Sequence, residues 1–211
     1  MQPKPEQIKW IKLVVFLACL APLGHLVWQG FRNRLGANPV EYITHSTGWW
    51  ALAFVLITLS VTPLRRFTGQ SWLLRMRRML GLFAFSYATL HFITYIWLDQ
   101  SFDWKDIVKD IGKRPFIMMG FAAFVLLIPL AATSTNKMVK RLGAKRWQWL
   151  HRLIYALSAL GVVHFWWLVK KDTTEPFTFA VLLAALLIIR LLYLLRRQRQ
   201  SRLAPANSQV A

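Results

Sequence analysis

Six long apolar runs dominate this sequence and limit the folds that it can adopt. They lie at about 9–29, 46–63, 79–98, 115–132, 150–169 and 177–195. Each approaches the ~20 residues that a helix needs to cross ~30 Å of hydrocarbon. The bilayer core has no water to satisfy backbone amides, and the sequence lacks the alternating ten-residue segments of barrel strands, so helix is the expected state. We therefore predict an all-α, polytopic membrane bundle of six transmembrane helices.

The distribution of basic residues predicts the orientation of these helices. Of the 27 Lys and Arg, nineteen flank one side of the predicted bundle and the remaining eight flank the other. The richer side holds the two termini and loops 64–78 and 133–149, and the positive-inside rule places it in the cytoplasm. Loops 30–44 and 99–114 then face outward. A nucleic-acid binder would interleave its basic residues with polar segments, so the net charge of +19 indicates contact with membrane lipid and no nucleic-acid partner.

The rest of the chain adds little to this organisation. Residues 1–200 are expected to form a single domain, and residues 201–211 a disordered tail. The spacing of apolar residues within loop 99–114 predicts a helix that lies flat on the membrane. The single cysteine, Cys19, excludes an internal disulfide and any cysteine-ligated metal cluster. The first apolar run continues past Cys19, which predicts an uncleaved first helix.

Two of the five histidines are expected at the same depth in the membrane. His91 lies about twelve residues into the third run and His164 about fourteen residues into the fifth, and both runs cross in the same direction. An ionisable side chain at such depth is a functional candidate. Two imidazoles at one level can ligate a haem iron from both faces, which suits one-electron transfer. The alternative is that each histidine is a structural hydrogen-bond donor between helices. Neighbouring side chains that could surround a porphyrin are Phe92, Tyr95, Phe165 and Leu168.

His151 indicates a second centre near the inner surface, with an incomplete ligand set. It precedes His164 by thirteen residues, which is ~20 Å along a helix axis and leaves the two side chains on different faces unless the helix bends. The third run has no inner histidine, and Arg77 and Arg78 stand at that level instead. These arginines are topology determinants first, with a secondary use as anchors for haem propionates or a flavin phosphate. An interfacial structural role for His151 is the alternative, and His25 is expected to be solvated at an outer helix end, as is His45.

No motif for catalysis by the chain itself is visible. A nucleophile–base arrangement, a Walker loop, a dinucleotide-binding glycine pattern and a carboxylate pair are all absent from the sequence. The 211 residues leave no room for a soluble nicotinamide or flavin reductase domain. Any electrons that the chain carries must therefore come from a separate protein or from quinol, and one hypothesis is a non-catalytic electron-transfer subunit. The alternatives are a transmembrane ferric or other metal reductase and, from a different class, a transporter or assembly factor.

Several motifs together carry a resemblance to a known family. Residues 77–82 (Arg-Arg-Met-Leu-Gly-Leu) are followed by Tyr-Ala-Thr-Leu-His at 87–91. Four further stretches, together with His164, are similar to the same family, and they lie at 35–39, 45–48, 62–64 and 145–151. Over residues 6–197 the sequence resembles the MsrQ (YedZ) family, the haem-binding membrane subunit of the periplasmic methionine sulfoxide reductase system. That family is part of the ferric-reductase-like transmembrane superfamily.

The resemblance implies cofactors, partners and a location. It implies b-type haem in the bacterial inner membrane, with His91, His151 and His164 as the haem-associated histidines, and FMN as a further cofactor. It also implies electron delivery from the quinone pool, or from a cytosolic flavin reductase, to MsrP, a periplasmic molybdopterin subunit that reduces methionine sulfoxide in oxidised proteins. Arg77 stands where a dihaem relative would have an inner histidine. The inner site is therefore expected to be mono-ligated or associated with flavin.

Overall fold

The computed structural model describes residues 2–169 and 171–203, and these form nine α-helices and no strand. The 3₁₀ turn Ser71–Arg75 precedes α3, and the π turn Tyr95–Asp99 extends it. The prediction of an all-α fold is confirmed. Within the predicted tail, α9 continues to residue 203, and residues 204–211 lie outside the described part of the chain. The helices are α1 (Pro5–Phe31), α2 (Pro39–Thr68), α3 (Arg77–Thr94), α4 (Trp104–Lys113), α5 (Pro115–Ala132), α6 (Asn136–Leu142), α7 (Ala144–Leu150), α8 (Leu153–Leu168) and α9 (Thr174–Leu203).

The six apolar runs correspond to α1, α2, α3, α5, α8 and α9. Five of these, all except α8, are long and apolar enough to cross a membrane. The run at 150–169 differs, because the chain turns at His151 and Arg152 and α8 retains 16 residues. At 1.5 Å per residue this helix is ~24 Å long, somewhat less than the hydrocarbon thickness. The count of six crossings and the cytoplasmic termini therefore stay predictions, and nothing in the described helices conflicts with them.

Local sequence signals explain where the helices begin and end. Asn38 accepts a hydrogen bond from the backbone N–H of Glu41 at 3.3 Å and caps α2, whose first residue is Pro39. The same helix ends at Gly69, which adopts a left-handed φ of 70°. Asp103 caps α4 by accepting from two backbone amides at 2.9 and 3.2 Å. The predicted helix in loop 99–114 is thus confirmed.

Helix α2 lies at the centre of the bundle. Its apolar side chains are the most deeply buried of the membrane-spanning helices, with Phe54 3% and Leu59 1% exposed. The two most extensive helix pairings are α2 with α3 and α5 with α8, and α2 also contacts α8 and α9. Helix α1 is peripheral and has only a small contact with α2 and α3. The two main pairings are the ones that position the candidate site.

A tyrosine from α3 is inserted into the backbone of α1 near its internal proline. The Tyr87 hydroxyl accepts from the backbone N–H of Leu23 at 3.0 Å and donates to the carbonyl of Cys19 at 2.9 Å. These two backbone groups are four residues apart and would bond to each other in a regular helix. Pro22 lies between them and removes a neighbouring N–H donor. Tyr87 therefore satisfies the opened turn and joins α1 to the bundle.

We expect Tyr87→Phe to loosen α1 without unfolding the bundle. The Phe ring keeps the packing of the Tyr87 ring, but the Leu23 N–H and the Cys19 carbonyl lose their hydrogen-bond partner. Leaving buried polar groups unpaired costs about 1–3 kcal/mol. Hydrogen exchange of the reconstituted protein should become faster at residues 19–24. Tyr42→Phe is the matched control, because the Tyr42 hydroxyl forms no hydrogen bond among the described residues. Unchanged exchange at residues 19–24 would contradict this role of Tyr87.

Candidate functional site

His91 is fixed by the helix that packs against it. It lies near the end of α3, and its Nδ1 atom is 2.9 Å from the backbone carbonyl oxygen of Thr44 in α2. A carbonyl only accepts, so Nδ1 carries the proton and donates it. In the neutral imidazole this leaves a lone pair on Nε2, the form in which histidine binds metals.

His164 is held in the same way on the other side of the bundle. It lies in α8, and its Nδ1 atom donates to the backbone carbonyl of Phe116 in α5 over 2.7 Å. The Nε2 lone pair is again left available. A ligating histidine commonly donates its other ring N–H to a carbonyl, which fixes both the tautomer and the ring orientation. Both histidines meet this condition.

The two imidazoles face each other at a distance suited to one metal ion. Their ring centroids are 6.1 Å apart and their planes are inclined by 72°. With metal–nitrogen bonds of ~2 Å on opposite sides of one ion, ring centres are expected ~6 Å apart. The inclined planes are compatible with this, since each ring can rotate about its own metal–nitrogen bond. The two histidines selected from the sequence therefore lie next to each other, and their common depth in the membrane stays a prediction.

A glycine beneath each imidazole makes this close approach possible. A Cβ atom on Gly48 would lie 2.9 Å from the nearest atoms of the His91 ring, and one on Gly120 would lie 2.8 Å from the His164 ring. Such contacts are too short for any side chain. Each glycine follows the accepting carbonyl by four residues, one helical turn later on the same face, at 44 and 48 in α2 and at 116 and 120 in α5. The site therefore consists of two similarly built halves.

Aromatic side chains line one flank of the site. Phe92 packs on Phe124 with ring centroids 4.8 Å apart and on Phe121 at 5.8 Å, in the gap between α3 and α5. Phe165 points elsewhere, since it is 8% exposed and packs against Phe179 and His45. The remaining two predicted neighbours also turn away: Tyr95 donates to Asp110 and Leu168 is 44% exposed. Of the four neighbours predicted from sequence, Phe92 belongs to this flank.

His151 lies in a separate environment. It occupies the turn between α7 and α8. The chain therefore bends here, which is one of the two arrangements that the thirteen-residue spacing from His164 allowed. Its Nε2 atom is 3.2 Å from the Thr133 hydroxyl, and Trp147 stacks on the ring at 4.0 Å. The Thr133 hydroxyl already donates to the Pro129 carbonyl at 2.6 Å, so Nε2 of His151 is the donor in their bond. The lone pair of His151 is then on Nδ1, unlike in the other two histidines.

Arg77 and Arg78 line the same cavity as His151. The cavity has a volume of ≈ 360 Å³ and contains no acidic side chain among its lining residues. Arg77 is half-buried, and its charge interacts with that of Arg190 in α9. Arg190 donates to the Tyr155 hydroxyl and to the Leu59 carbonyl, while its Nε–H is buried without a partner among the described residues. The inner region is therefore a positively charged pocket with one imidazole.

The contribution of Arg190 was not visible from the sequence. It lies within the sixth apolar run, near the cytoplasmic end, and was counted there with the basic residues that flank the bundle. Its guanidinium instead extends to α2 and α8, where it contacts Leu59 and the ring face of Tyr155. A single arginine that interrupts an apolar stretch is the signal that could have identified it.

His25 and His45 lie at the periphery, as predicted. His25 is exposed and 3.2 Å from the Gln29 side chain. His45 is 3.8 Å from the carboxylate of Glu175, and both side chains are about half exposed.

Comparison with known proteins first defines the class. Residues 47–162 match the family model of the ferric reductase like transmembrane component. The match includes His91 and His151 and ends two residues before His164. The paired helices and their facing histidines thus belong to a ferric-reductase-like transmembrane domain.

Curated relatives define the particular family. The protein-methionine-sulfoxide reductase heme-binding subunit MsrQ of Herminiimonas arsenicoxydans is 54% identical over 193 residues, which is 90% of this chain and 88% of the relative. The MsrQ of Ralstonia nicotianae is 51% identical over 95% of this chain and 93% of its own length. That of Rhodospirillum rubrum is 51% identical over 90% and 92%, respectively. The chain belongs to the MsrQ family.

We expect Gly48→Ala and Gly120→Ala to disturb the site specifically. The new methyl group would overlap an imidazole, so that ring must move. Overpacking of this kind costs about 1–3 kcal/mol. Each variant should bind less of the predicted haem per chain, measured from its absorption. Gly24→Ala is the control, since a Cβ atom there has nothing within 4 Å. Equal haem content in all three variants would contradict the role assigned to the two glycines.

Proposed function

We propose that this chain is the membrane electron-transfer subunit of a protein-methionine-sulfoxide reductase system, with a b-type haem held between His91 and His164. One observation carries the proposal: both Nδ1 atoms are committed to backbone carbonyls, and the rings face each other at 6.1 Å. Membership of a family whose relatives are named heme-binding subunits supports it. A haem held by these two residues would supply reversible one-electron exchange.

The protein residues would perform three tasks at this site. His91 and His164 supply the axial nitrogens, and the carbonyls of Thr44 and Phe116 hold these rings in the ligating tautomer. The glycines beneath the rings allow the helices to approach. Phe92 and its aromatic neighbours in the α3–α5 gap provide an apolar wall that excludes water.

The inner pocket is proposed to hold a second redox group. Its features are one imidazole, from His151, and the cationic side chains of Arg77 and Arg78. Arginines pair well with carboxylates and phosphates, so the pocket favours an anionic group such as haem propionates or the phosphate of FMN. No second imidazole lines the pocket, which favours single ligation or a flavin over a second doubly ligated haem.

Electrons are proposed to enter on the basic side and leave on the other. The donor would be the quinone pool or a cytosolic flavin reductase, since the 211 residues contain no dinucleotide-binding glycine pattern. The acceptor is a periplasmic molybdopterin-containing methionine sulfoxide reductase subunit, MsrP, with this chain in the bacterial inner membrane. The docking surface would be loops 30–44 and 99–114, where α4 exposes Trp104 (63%) and Val108 (71%). The sulfoxide chemistry belongs to the partner.

A ferric reductase is the second candidate, favoured by the description of the family model. It would pass electrons to a metal ion outside the membrane without a protein partner. The two candidates differ in one assay on the reduced, reconstituted protein. Reoxidation by MsrP together with methionine sulfoxide, and not by ferric citrate, supports the proposed function.

His91→Ala and His164→Ala should each lose the b-type haem. Removal of either imidazole leaves the iron with one protein ligand and opens an axial position. The reduced-minus-oxidised spectrum of the purified variants should lose its low-spin bands, and the haem content per chain should fall. Matched controls are His25→Ala and His45→Ala, which remove peripheral imidazoles and should keep the spectrum. Retention of the full signal in both His91→Ala and His164→Ala would reject the pair as ligands.

His151→Ala should remove the inner group and spare the outer haem. We expect the wild type to carry more than one redox group per chain, and the variant to retain the haem of His91 and His164 alone. Haem and flavin are quantified after extraction, and Trp149→Ala serves as a control because its side chain, in the short helix α7 just before His151, is 68% exposed. A variant whose cofactor content equals that of the wild type would contradict an inner site at His151.

A further inference from the structure

A second groove lies between α1 and α3, outside the redox site. It has a volume of ≈ 490 Å³, and its walls are stripes of side chains at helical spacing on the two helices. The α1 stripe contains Lys12, Phe16, Leu20 and Leu23. The α3 side contains Arg75, Arg78, Met79, Leu82, Phe83, Ser86, Tyr87 and Leu90.

The charges of this groove are concentrated at one end. Lys12, Arg75 and Arg78 line the end next to the 3₁₀ turn, and the lining contains no acidic residue. All three side chains are exposed, and none of them forms an ion pair within the described residues. The three positive charges are therefore available to a ligand at the membrane surface.

The remainder of the groove is apolar and as long as one leaflet. From Arg78 to Leu90 the α3 wall rises ~18 Å, compared with ~15 Å for half of the hydrocarbon core. Leu20 and Leu82 are 37% and 40% exposed and form opposite walls. The hydrogen bond between the Tyr87 hydroxyl and the Leu23 N–H lies toward the end of the groove opposite the three basic residues. The rings of Phe16 and Phe83 are in contact in the middle of the groove. The helices are thus held apart by a fixed distance.

We propose that this groove binds one anionic phospholipid, with its phosphate at Lys12, Arg75 and Arg78 and an acyl chain between α1 and α3. Basic residues near the head-group level attract anionic lipid, and the apolar walls match hydrocarbon. A quinol fits less well, because its oxidation releases protons and no histidine or carboxylate lines the groove. The polar groups that remain are already committed: Ser86 donates to the Leu82 carbonyl and Tyr87 to that of Cys19.

The test is lipid binding to the purified full-length chain by native mass spectrometry. Phosphatidylglycerol is titrated against phosphatidylcholine with the same acyl chains. The wild type should prefer phosphatidylglycerol, and Lys12→Ala/Arg75→Ala should weaken binding of that lipid by about thirtyfold, leaving a preference of about fivefold from Arg78. Arg196→Ala/Arg197→Ala, which removes the same charge from α9, should change it less than about twofold. Arg78 is left unchanged because it also lines the inner pocket.

Three results would overturn the proposal. The first is that Lys12→Ala/Arg75→Ala binds phosphatidylglycerol as tightly as the wild type does. The second is that Arg196→Ala/Arg197→Ala loses as much phosphatidylglycerol affinity as Lys12→Ala/Arg75→Ala. The third is displacement of the lipid by decylubiquinone in the wild type, which would make the groove a quinone site. If circular dichroism shows that the double variant is unfolded, Leu82→Trp decides, since it fills the groove and keeps every charge. Unchanged lipid occupancy in Leu82→Trp would reject the groove.

Discussion

The hydrogen bonds from two imidazoles to two helix carbonyls are the interactions on which the rest of the structure depends. Each bond fixes the proton on Nδ1 and leaves the Nε2 lone pair free, while the two rings lie 6.1 Å apart between their centroids. A carbonyl in a helix has a second lone pair, so α2 and α5 can each accept an imidazole without giving up a backbone bond. Glycine one turn later leaves room for the ring. The ligand geometry is thus built into the helix pairs before any cofactor is considered.

The two halves of the site are alike in construction, while the two ends of the bundle differ in charge. The α2–α3 pair and the α5–α8 pair each place a histidine against a backbone carbonyl and a glycine of the other helix. At the basic end a single imidazole, Arg77 and Arg78 line a positive pocket with no acid among its lining residues, and the half-buried Arg190 interacts electrostatically with Arg77. This asymmetry suits a chain in which one side receives electrons beside an anionic group and the other passes them to a partner.

The sequence predicted the helices and the pairing of His91 with His164, because both follow from counting residues at a fixed rise. Length and hydropathy identify α2 or α9 without any tertiary information, and His91 and His164 reach one level for the same reason. Gly48 and Gly120 were missed, since a glycine in an apolar helix reveals neither its face nor the ring that covers it. Arg190 was taken for a topology signal because its partners are 35 and 131 residues away. The break at His151 was one of two alternatives that periodicity alone left open.

The most direct test of the central claim is the low-temperature EPR spectrum of the oxidised, purified protein. Two imidazoles on one ferric iron give a low-spin signal. A high-spin ferric signal as the main species, or a protein purified without haem, would contradict ligation by His91 and His164.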